Sequence, residues 1–210
     1  PTNGDGTTTL PFNNLETVTI TANNTYYIRR VAAIPANRTI NSVAIPNGVK
    51  ILGWPKVGDI GYITRPTNAA WDADAADYPT ITSRLSFINV HSVEVTRIHW
   101  DLNGVVIPNN PNWKVIYASG CSNLAFKNIT ANYNPTPYSG YDNNFIHIAQ
   151  SRQIFIDVLF TYHAFNIHAA TSAIYFTSVS QFVVHIRHYT KSQTGVPSSS
   201  SGHDSPNNGI

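Results

Sequence analysis

Short runs in which every second residue is apolar recur along the second half of the chain. In one copy, Ile146 starts the first run and Ile154 starts the second, with a polar turn centred on Ser151 between them. Neighbouring copies start at Ile116 and Ile174, each roughly 30 residues from Ile146, and have the same internal gap. A repeat of this size, made of short strands, indicates stacked units that bury a common core.

The alternation within each run predicts which side chains face the core. Successive strand residues point to opposite faces, so the apolar positions lie on one side and their neighbours on the other. Looser copies start at Ile88 and Val49, and the last clear copy turns at Ser180. When the copies are stacked, two inward columns result: Leu124 with Ile154 and Phe182, and Phe126 with Ile156 and Val184.

The segment 44–53 reads A-I-P-N-G-V-K-I-L-G, and turns of the form S-x-x-Φ-x-Φ follow it. These features resemble the right-handed parallel β-helix superfamily, which includes pectate lyases, polygalacturonases and phage tailspikes. The likeness covers most of residues 40–210. The likeness is greatest to phage tailspikes and polysaccharide-degrading β-helix proteins. It implies a long solenoid that binds polysaccharides.

Pattern and resemblance together predict an all-β fold, a right-handed parallel β-helix with coils of about 28–31 residues and loop insertions on one flank. The right hand follows from the rule for parallel crossovers and from the resemblance. Residues 1–38 are predicted to be an extended lead-in with the first strands, and residues 39–210 the β-helix. Because 207–210 repeat the pattern of 143–146, we expect the sequence to stop within a coil.

Charge is sparse and narrows the range of partners. The formal net charge is +2 without a cluster of Lys and Arg, so we expect no nucleic-acid partner. No apolar run approaches the ~20 residues of a membrane span. Neither the histidines nor the acidic stretch 72–77 has the spacing of a known metal motif, so no metal and no cofactor is predicted. On the outer face, Lys127 and Asp157 are expected to form an ion pair, with His185 next in the row.

Aromatic residues point to a binding surface. Three loops rich in Asn, Pro and aromatic residues fall at equivalent places in successive copies, beside an outward row of rings. Aromatic faces stack on the C–H faces of sugars, while amides and carboxylates bind their hydroxyls. The alternative is that these rings cover apolar residues or pack against a neighbouring subunit. The predicted substrate-binding residues are Trp113, Tyr138, Tyr141 and Asp142 in the loops, and Tyr117, His147 and Tyr175 in the row.

Two carboxylates could cleave a glycosidic bond within such a groove. Asp142 and Asp204 lie in equivalent loops two coils apart, which corresponds to ~10 Å, near the upper limit for an inverting pair. The doubled Asp of polygalacturonases is missing, so the catalytic set of that family is not carried over. A lyase would need a basic residue such as Arg187 or Lys191, which no motif supports. The sequence leaves open whether the protein is an enzyme.

The resulting interpretation is an extracellular or virion-surface protein, similar to a tailspike, that recognises a surface polysaccharide. A variant of this interpretation is that the protein also cleaves the polysaccharide. Its expected partners are the polysaccharide and copies of itself, as a homo-oligomer such as a trimer or as a larger assembly. One alternative is a purely structural β-helix of a virion or cell-surface appendage, with the aromatic face as subunit interface. The other is a secreted polysaccharide lyase or glycoside hydrolase.

Overall fold

The computed structural model describes residues 15–16, 18–28, 42–53, 80–81, 83–101, 114–133, 144–163 and 174–188. The regular secondary structure in these ranges is entirely β. The strands are β1 (Thr25–Ile28), β2 (Ser42–Ala44), β3 (Lys50–Gly53), β4 (Thr80–Ile81), β5 (Arg84–Ile88), β6 (His91–Thr96), β7 (His99–Asp101), β8 (Ile116–Ser119), β9 (Ser122–Tyr133), β10 (Ile146–Ala149), β11 (Arg152–His163), β12 (Ile174–Thr177) and β13 (Ser180–His188).

The strands form two sheets in which every pairing is parallel. The larger sheet has the order β1-β3-β6-β9-β11-β13, and β7 joins it beside β9 with β4 as its other neighbour. The smaller sheet has the order β12-β10-β8-β5-β2. From β8 onward, strands of the smaller sheet alternate along the chain with strands of the larger one, so neighbours in a sheet are about one repeat apart. Ile146 pairs with Ile116 and with Ile174, which confirms the repeat predicted from the sequence.

Both sheets bury their inner faces in one apolar core. Phe87 of the smaller sheet meets Phe126 of the larger one edge to face, with ring centroids 5.5 Å apart. Further along, Phe145 contacts both Trp100 and Phe160 in the same manner, at 5.8 and 5.4 Å. These five rings are at most 1% exposed. Burial of such large apolar areas is the main favourable contribution to folding.

The predicted core columns are correct in register and partly correct in burial. Ile154 pairs with Leu124 and with Phe182 on its two sides. Leu124 and Ile154 are 1% and 2% exposed, whereas Phe182 is 43% exposed. The expectation that Phe182 is buried is therefore wrong, because β13 is the last strand of the described sheet and no further described strand covers it. In the second column, Ile156 is fully buried and Val184 half-buried.

A two-residue turn connects each of β5, β8, β10 and β12 to the following strand of the larger sheet. The first residue of each turn has a positive φ, which favours Gly or a small polar residue. Successive turns are also bonded to one another, because the amide of the turn residue donates to the carbonyl that ends the next strand of the smaller sheet. The residues are Asn89 (φ 52°, to Ser119 O), Gly120 (φ 66°, to Ala149 O), Gln150 (φ 47°, to Thr177 O) and Ser178 (φ 56°).

The all-β fold is confirmed, but the prediction of a right-handed parallel β-helix is wrong. The described strands form two stacked parallel sheets and not plainly a helix, and the larger sheet is interrupted between β6 and β7, which pair with successive segments of β9. The segments that lead from the ends of β3, β7, β9 and β11 to the next strand lie outside the described residues. The expected loop insertions fall in the same gaps, and the division between residues 38 and 39 stays a prediction.

Candidate functional site

An outward-facing row of aromatic rings crosses the smaller sheet. His147 of β10 pairs with Tyr117 of β8 on one side and with Tyr175 of β12 on the other. The alternation of β10 explains the arrangement, since Ile146 and Ile148 are fully buried and His147 lies between them on the opposite face. Tyr175 is 46% exposed and the other two rings are half-buried. The predicted row is confirmed, and we call these three residues the aromatic row.

The three rings touch one another and form one continuous surface. The ring centroids of Tyr117 and His147 are 5.5 Å apart at an interplanar angle of 69°. Those of His147 and Tyr175 are 4.9 Å apart at 56°. Nε2 of His147 lies 3.3 Å from the Thr177 hydroxyl oxygen, and this hydrogen bond restrains the imidazole. The tilts leave faces, edges and polar tips of the rings available on one side of the sheet.

A second outward row, of shorter side chains, runs beside the aromatic row. Ser119, Ala149 and Thr177 each lie two residues beyond a ring on the same strand, and they pair with one another across the sheet. Ile88 of β5 pairs with Ser119 and ends this row with a side chain that is 51% exposed. Since the side chains of Ser119, Ala149 and Thr177 are shorter than the rings, they form the floor of a shallow trough. We call these three residues the short row.

The turns that follow the strands lie beyond the short row. Their first residues, Asn89, Gly120, Gln150 and Ser178, are exposed. The short row therefore lies between the aromatic row and the exposed turns. Ser119 and Thr177 carry hydroxyls in the short row, and Gln150 and Ser178 are polar residues of the turns. Sequence reasoning identified the rings but missed the short row, although the two-residue spacing on the same face could have predicted it.

Two cationic residues lie at the start of the strands, before the aromatic row. Burial, and then the positive charge of Lys114, lower the pKa of His147 below its usual value of 6.5, so its imidazole is neutral at pH 7. Lys114 is itself only 6% exposed. Nε of Arg84 donates to the backbone carbonyl of Lys114 at 2.6 Å, and burial lowers the pKa of this guanidinium. The rings therefore present an uncharged surface at neutral pH.

The charged residues of the larger sheet make a different contact from the one expected. Nζ of Lys127 lies 3.1 Å from Oε1 of Glu94, not beside Asp157. Glu94 lies on β6, diagonally from Lys127 in a regular register. On the other side of β9 a β-bulge interrupts the pairing with β11, because β9 has one more residue than β11 at Asn128, whose φ is 52°. Asp157 lies at this register shift and pairs with His185 of β13, as predicted for that part of the row.

The remaining predicted site residues lie outside the described residues. These include both members of the catalytic pair and every residue that the loops were expected to contribute, so neither catalysis nor the wider groove is tested. Among the residues that are described, no group of three or more His, Cys, Asp or Glu could hold a metal ion. The residues in question are Trp113, Tyr138, Tyr141, Asp142 and Asp204.

Within the described ranges, no helix has the length and apolar character needed to cross a membrane. Comparisons with known proteins give little more. No family model matches the chain, and no curated protein matches it. Among solved structures, a candidate glycosyl hydrolase from Parabacteroides merdae aligns with 76% of this chain and 79% of its own, at 11% identity and a TM-score of 0.32. A likeness this distant supports no conclusion about fold or activity.

Proposed function

We propose that this protein binds a polysaccharide through the aromatic row of the smaller sheet. The observation that carries the proposal is the continuous, outward-facing contact of Tyr117, His147 and Tyr175. A contiguous aromatic patch on an open sheet face is typical of a site that binds a ligand or a partner. Sugars suit them because a pyranose has an apolar C–H face for the rings and hydroxyls for the short row.

Recognition is better supported than cleavage by the described residues. Glu94 is bound to a lysine on the larger sheet, and the five strands of the smaller sheet contain no Asp or Glu. Hydrolysis would have to use carboxylates from elsewhere, and Asp142 and Asp204 stay the predicted pair for that role. The Parabacteroides merdae protein is described as a glycosyl hydrolase candidate, which concerns the same class of ligand but is not evidence for this chain.

We further propose an extracellular or virion-surface location and a homo-oligomer, as in the tailspike-like interpretation. The second candidate function is a structural protein of a virion or surface appendage, in which the aromatic row packs against another subunit. The same exposed rings favour both functions, because an apolar patch serves a protein interface as well as a sugar. The two proposals differ in what the rings contact, and mutation of the rings separates them.

The test is to replace Tyr117 and Tyr175 with Ala and to screen both proteins on an array of bacterial and plant polysaccharides. Each ring should contribute ~1 kcal/mol, so the double variant should lose binding by roughly tenfold or more. Phe155→Ala is the matched control. Phe155 faces outward on the larger sheet, where it contacts the ring of His185 at 5.9 Å, away from the aromatic row.

Binding by the parent protein and by the Phe155→Ala control, together with loss in the double variant, would support carbohydrate recognition. The structural alternative predicts a blank array for every variant, and dissociation of the assembly when Tyr117 and Tyr175 are replaced. Sedimentation of the parent protein, the double variant and the Phe155→Ala control measures whether the assembly dissociates. A blank array with an unchanged assembly would overturn both proposals.

A further inference from the structure

Resting on the proposed function, we propose that the ligand is a neutral, linear polysaccharide. It lies across the strands of the smaller sheet in the trough between the aromatic row and the turns, with one sugar over each of β8, β10 and β12. The direction follows from the register, because the aromatic row and the short row both run from strand to strand at right angles to the chain. A ligand that uses all three rings must follow the same line.

The spacing of the row suits an extended sugar chain. Adjacent strands are ~4.8 Å apart, which is close to the length of one sugar ring along such a chain. The centroid separations along the row, 5.5 and 4.9 Å, follow that step. Successive sugars can therefore meet successive rings without the ligand bending. A branched or compact glycan would reach only one or two of the three rings.

The charges around the trough favour a neutral ligand. Arg84 is the one Lys or Arg within the five strands of the smaller sheet. Its Nε is held by the carbonyl of Lys114, and the Lys114 side chain is almost fully buried. An acidic polysaccharide that crosses three strands would need a cation at each step, because a desolvated carboxylate without a partner is costly. The trough offers no such series among the residues that the structure describes.

Uncharged polar groups do repeat at each step. The hydroxyls of Ser119 and Thr177 lie in the floor, those of Tyr117 and Tyr175 are at the tips of their rings, and Gln150 lies in the turn beside Ala149. Hydroxyls and amides can donate to and accept from sugar hydroxyls in turn. We therefore assign Ser119 and Thr177 as specificity residues. The neutral imidazole of His147 agrees with this assignment, since it adds no charge at pH 7.

The experiment measures binding of the full chain to two matched series by calorimetry. The neutral probes are β-1,4-linked gluco- and manno-oligosaccharides of two to six sugars, and the acidic probes are oligogalacturonides of the same lengths. We expect affinity for a neutral series to rise up to at least three sugars and then to level off. Because no ion pairs form, affinity should change less than about twofold between ~0.05 and ~0.5 M salt.

Two variants locate the ligand. Tyr175→Ala removes an exposed ring at one end of the row and should lower the affinity for three sugars by roughly fivefold, with little effect on two. Ser119→Ala should lower affinity by a few-fold without changing the dependence on length, and Thr177 is left intact because its hydroxyl also bonds Nε2 of His147. Phe155→Ala serves again as the control, and circular dichroism verifies that each variant is folded.

The outcomes separate this inference from the proposed function. Stronger binding of oligogalacturonides, or a steep loss of affinity with salt, would overturn the neutral ligand and leave carbohydrate binding intact. Equal affinity for two and for six sugars would overturn the arrangement across three strands. If neither series binds and the polysaccharide array is also blank, the proposed function fails together with the inference.

Discussion

At the scale of single residues, Gly120 is constrained in two independent ways. Its φ of 66° disfavours residues with a Cβ, and a Cβ built there would collide with the Asn89 side-chain oxygen in the neighbouring turn. We expect Gly120→Ala to lower the free energy of unfolding by about 1–3 kcal/mol. Urea denaturation of the variant and the parent measures the difference.

Asn89→Gly supplies the control, because glycine tolerates the positive φ of position 89 and removes the colliding atoms. In the Asn89→Gly protein, Gly120→Ala should lower the free energy of unfolding by less, because only the cost of the positive φ at position 120 remains. The two costs would be equal if the turns did not touch, and that result would contradict the contact between them.

Glu94 should make stability depend on pH. Burial raises its pKa, but hydrogen bonds from Lys127 and Thr96, with the charges of Lys127 and Lys50, outweigh burial and leave the pKa below 4.5. A carboxyl whose pKa is lower in the folded state stabilises the fold above its unfolded pKa, and this contribution is lost as the pH falls through the folded pKa. Glu94→Gln should therefore cost less than ~1 kcal/mol at pH 7, because the pair is partly exposed, and nothing well below pH 4.

Thermal unfolding of both proteins at pH 7 and pH 3 checks this prediction. Thr19→Ala, an exposed position on the segment before β1, controls for nonspecific effects of substitution. A constant difference between Glu94→Gln and the parent at both pH values would show that the carboxylate charge does not contribute.

At the scale of residues, the sequence predicts correctly what strand alternation and the constant repeat determine. Tyr117, His147 and Tyr175 were correctly placed in one row because strand alternation and a constant repeat determine both face and register. The contact of Lys127 with Glu94 was missed because Glu94 lies diagonally from Lys127 on β6, and the pattern does not show toward which neighbouring strand a long side chain turns. The extra residue at Asn128 is visible only as a step of three from Phe126 to Ile129, where β11 steps by two from Ile156 to Val158.

At the scale of elements, the cost of a core truncation should depend on the position of its strand. Ile156 of β11 is fully buried with a strand on each side, and Ile186 of β13 is half-buried with β11 as its neighbour. Ile156→Ala should cost ~2–5 kcal/mol from lost burial and the cavity that remains. Ile186→Ala, the same chemical change, should cost clearly less because its site already opens to water.

Urea denaturation of the two variants gives the comparison. Similar losses at both positions would mean that β13 is covered as well as β11 under the conditions of the experiment. That result would also contradict the exposure of Phe182 in the same strand.

The sequence predicted the inward columns well but could not identify which strand ends them. Leu124, Ile154 and Phe182 have equivalent patterns, and only the absence of a further described strand beside β13 exposes Phe182. Ile88 illustrates a second failure: it was assigned to a looser copy, yet it is exposed, and Leu85 and Phe87 are the buried residues of β5. A short strand that ends on two consecutive large apolar residues offers two possible registers, and the pattern does not choose between them.

At the scale of the whole molecule, protection of backbone amides should decrease toward β12 and β13. These strands end the described order of both sheets, and the exposed large side chains include Tyr175, Phe182 and Val183. Local opening requires less free energy where fewer apolar contacts are lost. Amides of β9 and β11 should therefore exchange more slowly with D2O than those of β13, as measured by mass spectrometry of peptic fragments.

The amide protection of β11 and β13 can be compared directly, because both strands are paired in parallel ladders. A difference between them is then not due to the type of hydrogen bonding. Uniform protection from β9 to β13 would contradict the prediction. It would indicate that a further strand or another subunit covers β13 in solution.

The regular repeat of apolar runs predicted parallel pairing at the scale of the molecule, and the pairings confirm it. It did not predict β4 and β7, since strands of two and three residues have no recognisable alternation. Closure into a right-handed helix was inferred from a rule and a resemblance. Neither the rule nor the resemblance uses the residues that follow Tyr133 and His163. No sequence pattern in those segments therefore supported the predicted closure.

Parallel pairing also determines how the chain can fold. Partners in either sheet are distant along the chain, as Thr25 is from Lys50 and Lys50 is from Glu94. Each pairing must close a long loop before its contacts form, which slows folding compared with hairpins or helices. A peptide of residues 114–133 contains β8 and β9 but none of their five partner strands. It should show no β-signal in circular dichroism, because this chain has to bring distant segments together before any strand is stable.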